Sequence, residues 1–403
     1  MKGKLYRMVS TLRSTTSATD NPGSQSALRK LNEQRIVETL MAGPATQAEL
    51  SRQTGLSTAT VSNIVKVLHD AGVVATEPTT SSGRRALSVR LNSNSAVAVG
   101  IDFGRRHLRV VLANLAYEVL AEENITLPLG HEADVSISAA VDLLDSLLED
   151  AGVRRADIVG VGAGIPGPID HRTGTVAQGA ILPEWVGFHL LAHLEERLGL
   201  PVFVDNDANL GALSEVTWGP HSGVENLVFV KIGSGIGAGL ILNGLLFYGQ
   251  VGVTGEIGHA TIVEHGAVCR CGNRGCLETV ASTTTMSELL SRGQPEPLTP
   301  DEIVRRALAG HPAVLRVIDD AGLAVGRALG NVANLINPEV IVIGGPLADL
   351  GEILLEPIRR GLLRHAVPLI GETTSVTMSA LGARAEVLGA AALVFQNADI
   401  AHR

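Results

Sequence analysis

All three cysteines of the chain, Cys269, Cys271 and Cys276, fall within one eight-residue run, with His259 ten residues upstream and a glutamate at each end of the segment, Glu256 and Glu278. Thiolates and neutral imidazole are the ligands zinc prefers, and three of one with one of the other make a closed tetrahedral set. A structural Zn2+ is therefore expected on His259, Cys269, Cys271 and Cys276. Gly272 and Gly275 let the backbone turn tightly enough for Cys271 and Cys276 to reach one ion. Buried thiols or a disulfide are the alternative, but an odd number packed this closely in a chain with no others fits neither pattern.

A second constellation is Asp205-Asn206-Asp207-Ala208-Asn209, which follows a strand-like run at 202–204 and opens a helix. That places polar side chains at the carboxyl end of a strand, where α/β folds bind ligands. The same residues are also ordinary helix caps. The ligand reading rests on the ensemble: Asn206, Asp207, Glu256, His259 and Glu278 bring carboxylate, amide and imidazole groups beside glycine loops. Sugar hydroxyls need such a mixture of donors and acceptors. These five are the expected contacts to a sugar or sugar phosphate. If one ring nitrogen of His259 holds the metal, the other can face the ligand with Glu256 alongside, so metal and ligand share a support.

The elements that must position these groups follow from composition and periodicity. At 403 residues and 45% hydrophobic content the chain is expected to hold more than one domain. Its apolar runs are far shorter than a membrane span and its first residues lack the apolar stretch of a signal peptide. A cytoplasmic protein with reduced thiols and no membrane partner is expected. The net charge of −9 is unevenly spread: residues 1–95 carry +6 and the remainder −15. A basic head on an acidic body suggests a DNA-contacting module attached to something that does other work.

In that head, residues 1–24 lack periodicity and are expected to form a disordered arm with four basic residues. A helical pattern begins at Ser26 and stops at Gly43-Pro44. Thr46 caps a short helix over 47–53, with Glu49 in a capping-box position; Thr54-Gly55-Leu56 turns; Ser57 caps a second helix to Asp70. Strands at 73–77 and 86–91 flank a basic tip at 79–85, completing a winged helix-turn-helix over 25–92. Val61, Ile64, Val65 and Leu68 share the inner face of the second helix, leaving Thr58, Ala59, Thr60, Ser62, Asn63 and Lys66 for double-stranded operator DNA. Asn63 suits a bidentate pair with adenine, while Lys66, Arg84 and Arg85 suit phosphate or the minor groove.

After a polar linker at 92–95, strand-like runs alternate with helix-like stretches, which implies α/β layers. Glycine turns follow strands in both halves, at Asp102-Phe103-Gly104 and Gly233-Ser234-Gly235-Ile236-Gly237. The repeated plan suggests two similar lobes facing a cleft.

Four motifs carry a resemblance: Gly-Glu-Ile-Gly-His at 255–259, Cys-Arg-Cys-Gly-Asn-Arg-Gly-Cys-Leu-Glu at 269–278, Asp-Asn-Asp-Ala-Asn at 205–209 and Ile-Pro-Gly-Pro at 165–168. They resemble the ROK family of repressors, open reading frames and sugar kinases, and the winged head resembles its repressor branch. The resemblance implies an actin-like ATPase fold of two α/β lobes over 96–403, a zinc loop at 259–276, a sugar bound by the five residues above, and assembly as a homodimer or homotetramer. In the family's kinases Asp207 occupies the position of the catalytic base, and two glycine loops cradle ATP. The second loop, 233–239, is present here, but where the kinases read Asp-x-Gly-Gly-Thr this chain reads Asp102-Phe103-Gly104-Arg105-Arg106. Bulky side chains in a loop whose backbone must approach phosphate disfavour phosphoryl transfer, the alternative being that an arginine pairs with phosphate and substitutes for the lost contacts. The expectation is a sugar-responsive regulator, a repressor of carbohydrate genes, rather than an enzyme. The competing reading is an ATP-dependent sugar kinase with an added DNA-binding head.

Overall fold

The computed structural model describes residues 25–41, 43–81, 84–170, 173–176, 181–292, 296–398 and 400. The arm expected over 1–24 lies outside them. The chain separates into two compact units, one formed by residues 1–96 with 399–403 and the other by 97–398.

The first unit contains α1 (Gln25–Met41), β1 (Ala45–Thr46), α2 (Gln47–Thr54), α3 (Thr58–Asp70), β2 (Val74–Ser81) and β3 (Arg84–Leu91). Thr46 and Glu49 form the anticipated reciprocal box: Thr46 N donates to Glu49 Oε2 at 2.7 Å, and Glu49 N donates to Thr46 Oγ1 at 3.3 Å. Ser57 Oγ accepts from Thr60 N at 3.1 Å and starts α3. Ile36, Leu40, Leu50, Val61, Ile64 and Leu68 are all buried, so the apolar stripes of the three helices meet in one core. The wing differs from expectation. Its strands pair as far as Ser81 with Arg84, well inside the seven residues expected as the tip. Thr79, Thr80 and Ser81 extend the strand instead of looping out. Pro78 is accommodated because β2 is the outer strand in the order β1-β3-β2.

The second unit begins with β4 (Val97–Phe103), β5 (His107–Asn114), β6 (Val119–Thr126), α4 (Ala133–Ala151), β7 (Ile158–Ile165), β8 (Ile169–Asp170), β9 (Thr175–Val176), α5 (Leu190–Leu198), β10 (Val202–Asn206) and α6 (Asp207–Thr217). It continues with β11 (Leu227–Ile232), β12 (Ile236–Leu242), β13 (Leu245–Leu246), α7 (Glu278–Ala281), α8 (Thr283–Leu290), α9 (Pro300–Leu308), α10 (Pro312–Ile336), β14 (Val340–Gly344), α11 (Glu352–His365), α12 (Pro368–Thr373), β15 (Ser375–Met378) and α13 (Ala385–Asn397). Two five-stranded sheets result, ordered β10-β7-β4-β5-β6 and β13-β12-β11-β14-β15.

The two sheets repeat one plan. In each, an antiparallel meander (β4-β5-β6, then β11-β12-β13) is followed by two parallel strands added on the other side of its first strand. Each sheet has its own core: β4, β5 and β7 pack with α4 and α5, while β11, β12 and β14 pack with α7 to α11. This is the two-lobed actin-like arrangement, and β4, β10 and β11 run toward the segments that carry the polar motifs. Between the lobes lie α6 and α13, which pack on each other and are buried along nearly their whole lengths. Helix α13 comes so close to the first sheet that a Cβ at Gly162 would lie 1.9 Å from the Ala390 carbonyl oxygen. Only glycine fits there.

Candidate functional site

The cysteine loop is held to the second sheet by its backbone. Ala238 N of β12 donates to Gly255 O at 2.8 Å, Leu277 N donates to Ala260 O at 2.9 Å, and Ile262 N donates to Gly275 O at 2.7 Å. Gly275 has φ 64°, and a Cβ there would fall 1.6 Å from Val263 O, so this turn requires glycine. His259 ends a 3-10 turn, Ile257–His259. The ligand atoms of His259, Cys269, Cys271 and Cys276 all lie within 4.8 Å of one another. His259 Nδ1 is 3.5 Å from Cys269 Sγ, and Cys271 Sγ is 3.7 Å from Cys276 Sγ. A tetrahedral ion with thiolates at about 2.3 Å and imidazole at about 2.0 Å has S···S edges of ~3.8 Å and S···N edges of ~3.5 Å. The His259–Cys269 and Cys271–Cys276 separations match two such edges. The Cys271–Cys276 separation is far too long for a disulfide, and all three thiols are free.

The second ring nitrogen of His259 faces away from the thiols, 3.5 Å from Glu256 Oε2. One imidazole thus joins the candidate metal set to Glu256, and in metal sites an outer carboxylate placed this way orients the ligand. Burial pushes the Glu256 carboxyl up; His259 opposes that rise, and the neighbouring charges of Asp207 and Glu278 add to it. Glu256 thus contacts His259 and feels the charges of Asp207 and Glu278. Glu278 Oε2 accepts from Arg270 Nη2 at 2.5 Å and from Ile236 N at 3.3 Å, tying the end of the cysteine run to the second glycine loop. Asn206 caps α6, accepting from Ala208 N at 2.8 Å, and donates to Gly167 O at 2.8 Å in the Ile-Pro-Gly-Pro loop. Its side chain thus also braces the site.

Asp207 has a partner that the sequence reading did not identify. Lys231 Nζ, from β11, lies 2.8 Å from Asp207 Oδ2 and 3.0 Å from Glu386 Oε1 of α13. Burial pushes the Asp207 carboxyl up, against the pull of Lys231. Burial also disfavours the Lys231 ammonium, but Asp207, Glu386 and Asp102 outweigh it and hold the group protonated. Asp102, buried at the end of β4, accepts from His107 Nε2 at 2.8 Å. The available signal was one lysine inside the apolar run Leu-Val-Phe-Val-Lys-Ile, immediately before the glycine loop. Glu386 offered a similar clue, being the acidic residue of an otherwise apolar helix.

In the first glycine loop Arg105 Nη1 donates to Thr284 Oγ1 of α8 at 3.2 Å, and Thr284 Oγ1 donates to Ser234 O at 3.0 Å. Arg105 therefore reaches across the cleft to the other lobe. Arg106 is exposed.

In the first unit, Thr58, Ala59, Ser62, Asn63 and Lys66 are exposed on α3, whereas Thr60 is half-buried with its hydroxyl 2.8 Å from Ser57 Oγ. Arg84 and Arg85 begin β3; their side chains are outside the described residues. No helix among the described residues is long and apolar enough to cross a membrane.

Comparison with known proteins follows this division. The ROK family profile matches residues 98–397, and a MarR family profile matches residues 25–85. The chain is 30% identical over 391 residues to the xylose repressor of Caldicellulosiruptor bescii, covering 93% of this chain and 98% of that protein. It is 34% identical over 313 residues to the glucokinase of Halalkalibacterium halodurans, but that match covers 74% of this chain and 94% of the glucokinase. The crystal structure of a ROK family transcriptional regulator, a homologue of the Escherichia coli MLC protein, superposes with a TM-score of 0.79 at 28% identity, covering 93% of this chain and 97% of that one.

Proposed function

The chain belongs to the ROK family, and from that premise we propose that it is a sugar-responsive transcriptional repressor whose winged unit binds operator DNA and whose two-lobed unit senses a sugar or sugar phosphate. The observation that carries this reading is the extent of similarity. The repressor match spans 93% of the chain, whereas the glucokinase match spans 74% while still covering 94% of the glucokinase. A module beyond the kinase-like unit is thus shared with regulators.

On this reading Asn206, Asp207, Glu256, His259 and Glu278 hold the sugar, and His259, Cys269, Cys271 and Cys276 hold a structural zinc ion. The donor spacing and the Glu256–His259 contact support both assignments. The ion would fix the loop that carries Arg270 and Glu278. Exposed Thr58, Ala59, Ser62, Asn63 and Lys66, together with Thr60, Arg84 and Arg85, form the DNA-facing set. A homodimer or homotetramer would present two winged units to an inverted repeat. Sugar then acts only through its preference for one lobe arrangement over another.

The kinase reading is disfavoured by the Lys231–Asp207 ion pair, which occupies the group that would deprotonate a sugar hydroxyl, and by Arg105 in the first glycine loop. The test is fluorescence anisotropy of a labelled duplex from the region upstream of the protein's own gene, with and without a panel of sugars and sugar phosphates. Salt-sensitive, sequence-dependent binding that a sugar releases is expected. Failure to bind that duplex more tightly than a scrambled one, with every sugar, overturns the reading.

A further inference from the structure

A cavity of 530 Å³ opens beside Glu278, and Arg105, Ser234, Arg270, Thr284 and a second carboxylate, Glu288, also line it. Its size lies within the range of about 300–1,000 Å³ typical of small-molecule sites. The two guanidiniums come from different parts of the fold, Arg105 from the turn after β4 and Arg270 from between Cys269 and Cys271. They are close enough to affect each other: burial first, then the charges of Arg106 and Arg270, lower the pKa of Arg105. Converging like charges in a half-dry pocket costs stability unless a ligand neutralises them.

The counter-charge within the chain is incomplete. Arg270 is paired with Glu278 at 2.5 Å. Among the described residues Arg105 has no carboxylate in ion-pair contact. Its side-chain hydrogen bond is to a neutral hydroxyl, Thr284 Oγ1, and Glu184 and Glu288 act on it only at longer range. The fork has further N–H donors. Thr284 and Thr285 lie in the first turn of α8, where the helix dipole favours negative charge. The arginine that spoils the first glycine loop for a nucleotide therefore supplies what an anion needs.

We propose that Arg105 and Arg270 form a phosphate-binding subsite beside Ser234 and the first turn of α8, and that the effector is a phosphorylated monosaccharide whose hydroxyls reach Glu278 in the same cavity. This rests on the sugar-sensor reading and names its ligand class. A planar, bidentate guanidinium is the side chain best matched to phosphate oxygens. Because Arg270 sits between two of the candidate metal ligands, the metal loop aims it.

The test uses the full-length, metal-loaded protein and its Arg105→Gly, Arg105→Lys and Arg270→Met variants. Thermal shift and calorimetry are run at matched ionic strength with inorganic phosphate, glucose, N-acetylglucosamine, their 6-phosphates, and ATP with Mg2+. Inorganic phosphate and at least one sugar phosphate are expected to protect the wild type, the sugar phosphate binding about tenfold or more tighter than its free sugar. Arg105→Gly and Arg270→Met should abolish that preference, and Arg105→Lys should keep part of it. If phosphate and both sugar phosphates fail to protect the wild type, or the preference survives Arg105→Gly, the subsite is overturned. Protection by ATP but not by sugar phosphates assigns the anion to a nucleotide and also overturns it. Binding of free sugars without any phosphate preference would sink the subsite and leave the sensor intact; an absence of binding by every sugar would count against both.

Discussion

The ammonium of Lys231 lies 2.8 Å from the carboxylate of Asp207, which opens α6, and the same ammonium is 3.0 Å from Glu386 on α13. One cation from β11 thus binds two acidic groups on the two helices between the lobes. Such a pair is weak evidence for stability in itself, but removing one partner strands the others in a buried site. Lys231→Met should destabilise the second unit by about 3–5 kcal/mol. The double variant Lys231→Met/Asp207→Asn should recover part of that loss, measured by denaturant unfolding. A double-variant loss equal to the sum of the Lys231→Met and Asp207→Asn losses would show that the pair carries no coupling.

The same contact bears on chemistry. A base held by a protonated lysine is poorly placed to accept a proton from a sugar hydroxyl. Purified protein with ATP, Mg2+ and each sugar of the panel should release ADP at no more than its sugar-independent background. Sugar-dependent release in a coupled assay would restore the kinase reading.

The donor geometry of the cysteine loop predicts about one zinc ion per chain by elemental analysis. Cys276→Ser and Cys271→Ser should lower that content and weaken the sugar response together, because the loop also carries Arg270 and runs into Glu278. Unchanged zinc content in both variants would remove these thiols from the metal set.

Glu215 is fully buried in α6, with one carboxylate oxygen on Ser379 and the other, Oε2, outside hydrogen-bond reach at 3.7 Å from His221 Nε2, whose own pKa burial lowers. Burial pushes its pKa up; the Ser379 hydroxyl opposes this and Glu386 adds to it. A raised carboxyl pKa means that the stabilising contribution is complete below the unfolded value, ~4.3, and is lost as pH rises through the folded value. Glu215→Gln should therefore stabilise the protein by about 1–2 kcal/mol at pH 7, with the gain fading as pH falls toward 4. A loss of stability at pH 7 would show that the charged form is needed.

On the winged unit, Ser57→Ala removes the acceptor for Thr60 N and should cost about 1 kcal/mol in α3 stability. Asn63→Ala should relax base preference at one position, costing about 1–3 kcal/mol, whereas Lys66→Ala should weaken all duplexes alike and reduce the salt slope by about one. Anisotropy titrations over a salt series separate the two. Equal effects on cognate and scrambled duplexes for Asn63→Ala would exclude it from base readout.

Much of this organisation was legible in the chain because it is locally encoded. The Thr46–Glu49 box, the Ser57 cap, the inner stripe of α3 and the spacing of Cys269, Cys271 and Cys276 each fall within a few turns or one loop, so residue type and interval suffice to predict them. The glycine turns after β4 and β11 likewise marked two lobes of one plan. The wing was misjudged because hydroxyl-rich residues such as Thr79 to Ser81 suit a strand and a loop equally, and pairing with β3 decides between them. Helix α13 is buried on every side and so carries no amphipathic period by which its sequence could be read.

What the amino-acid order determined by itself was the inventory: a capped DNA-facing helix, a three-thiol loop, and acidic and amide groups at the end of a strand. Only the tertiary structure decided who meets whom. Lys231 finds Glu386 from 155 residues away, and Arg105 finds Thr284 across 179. The reason is physical: a charge in a sequence reads the same whether water or a carboxylate will surround it, and that difference is created only when the lobes and the two helices between them exclude the solvent.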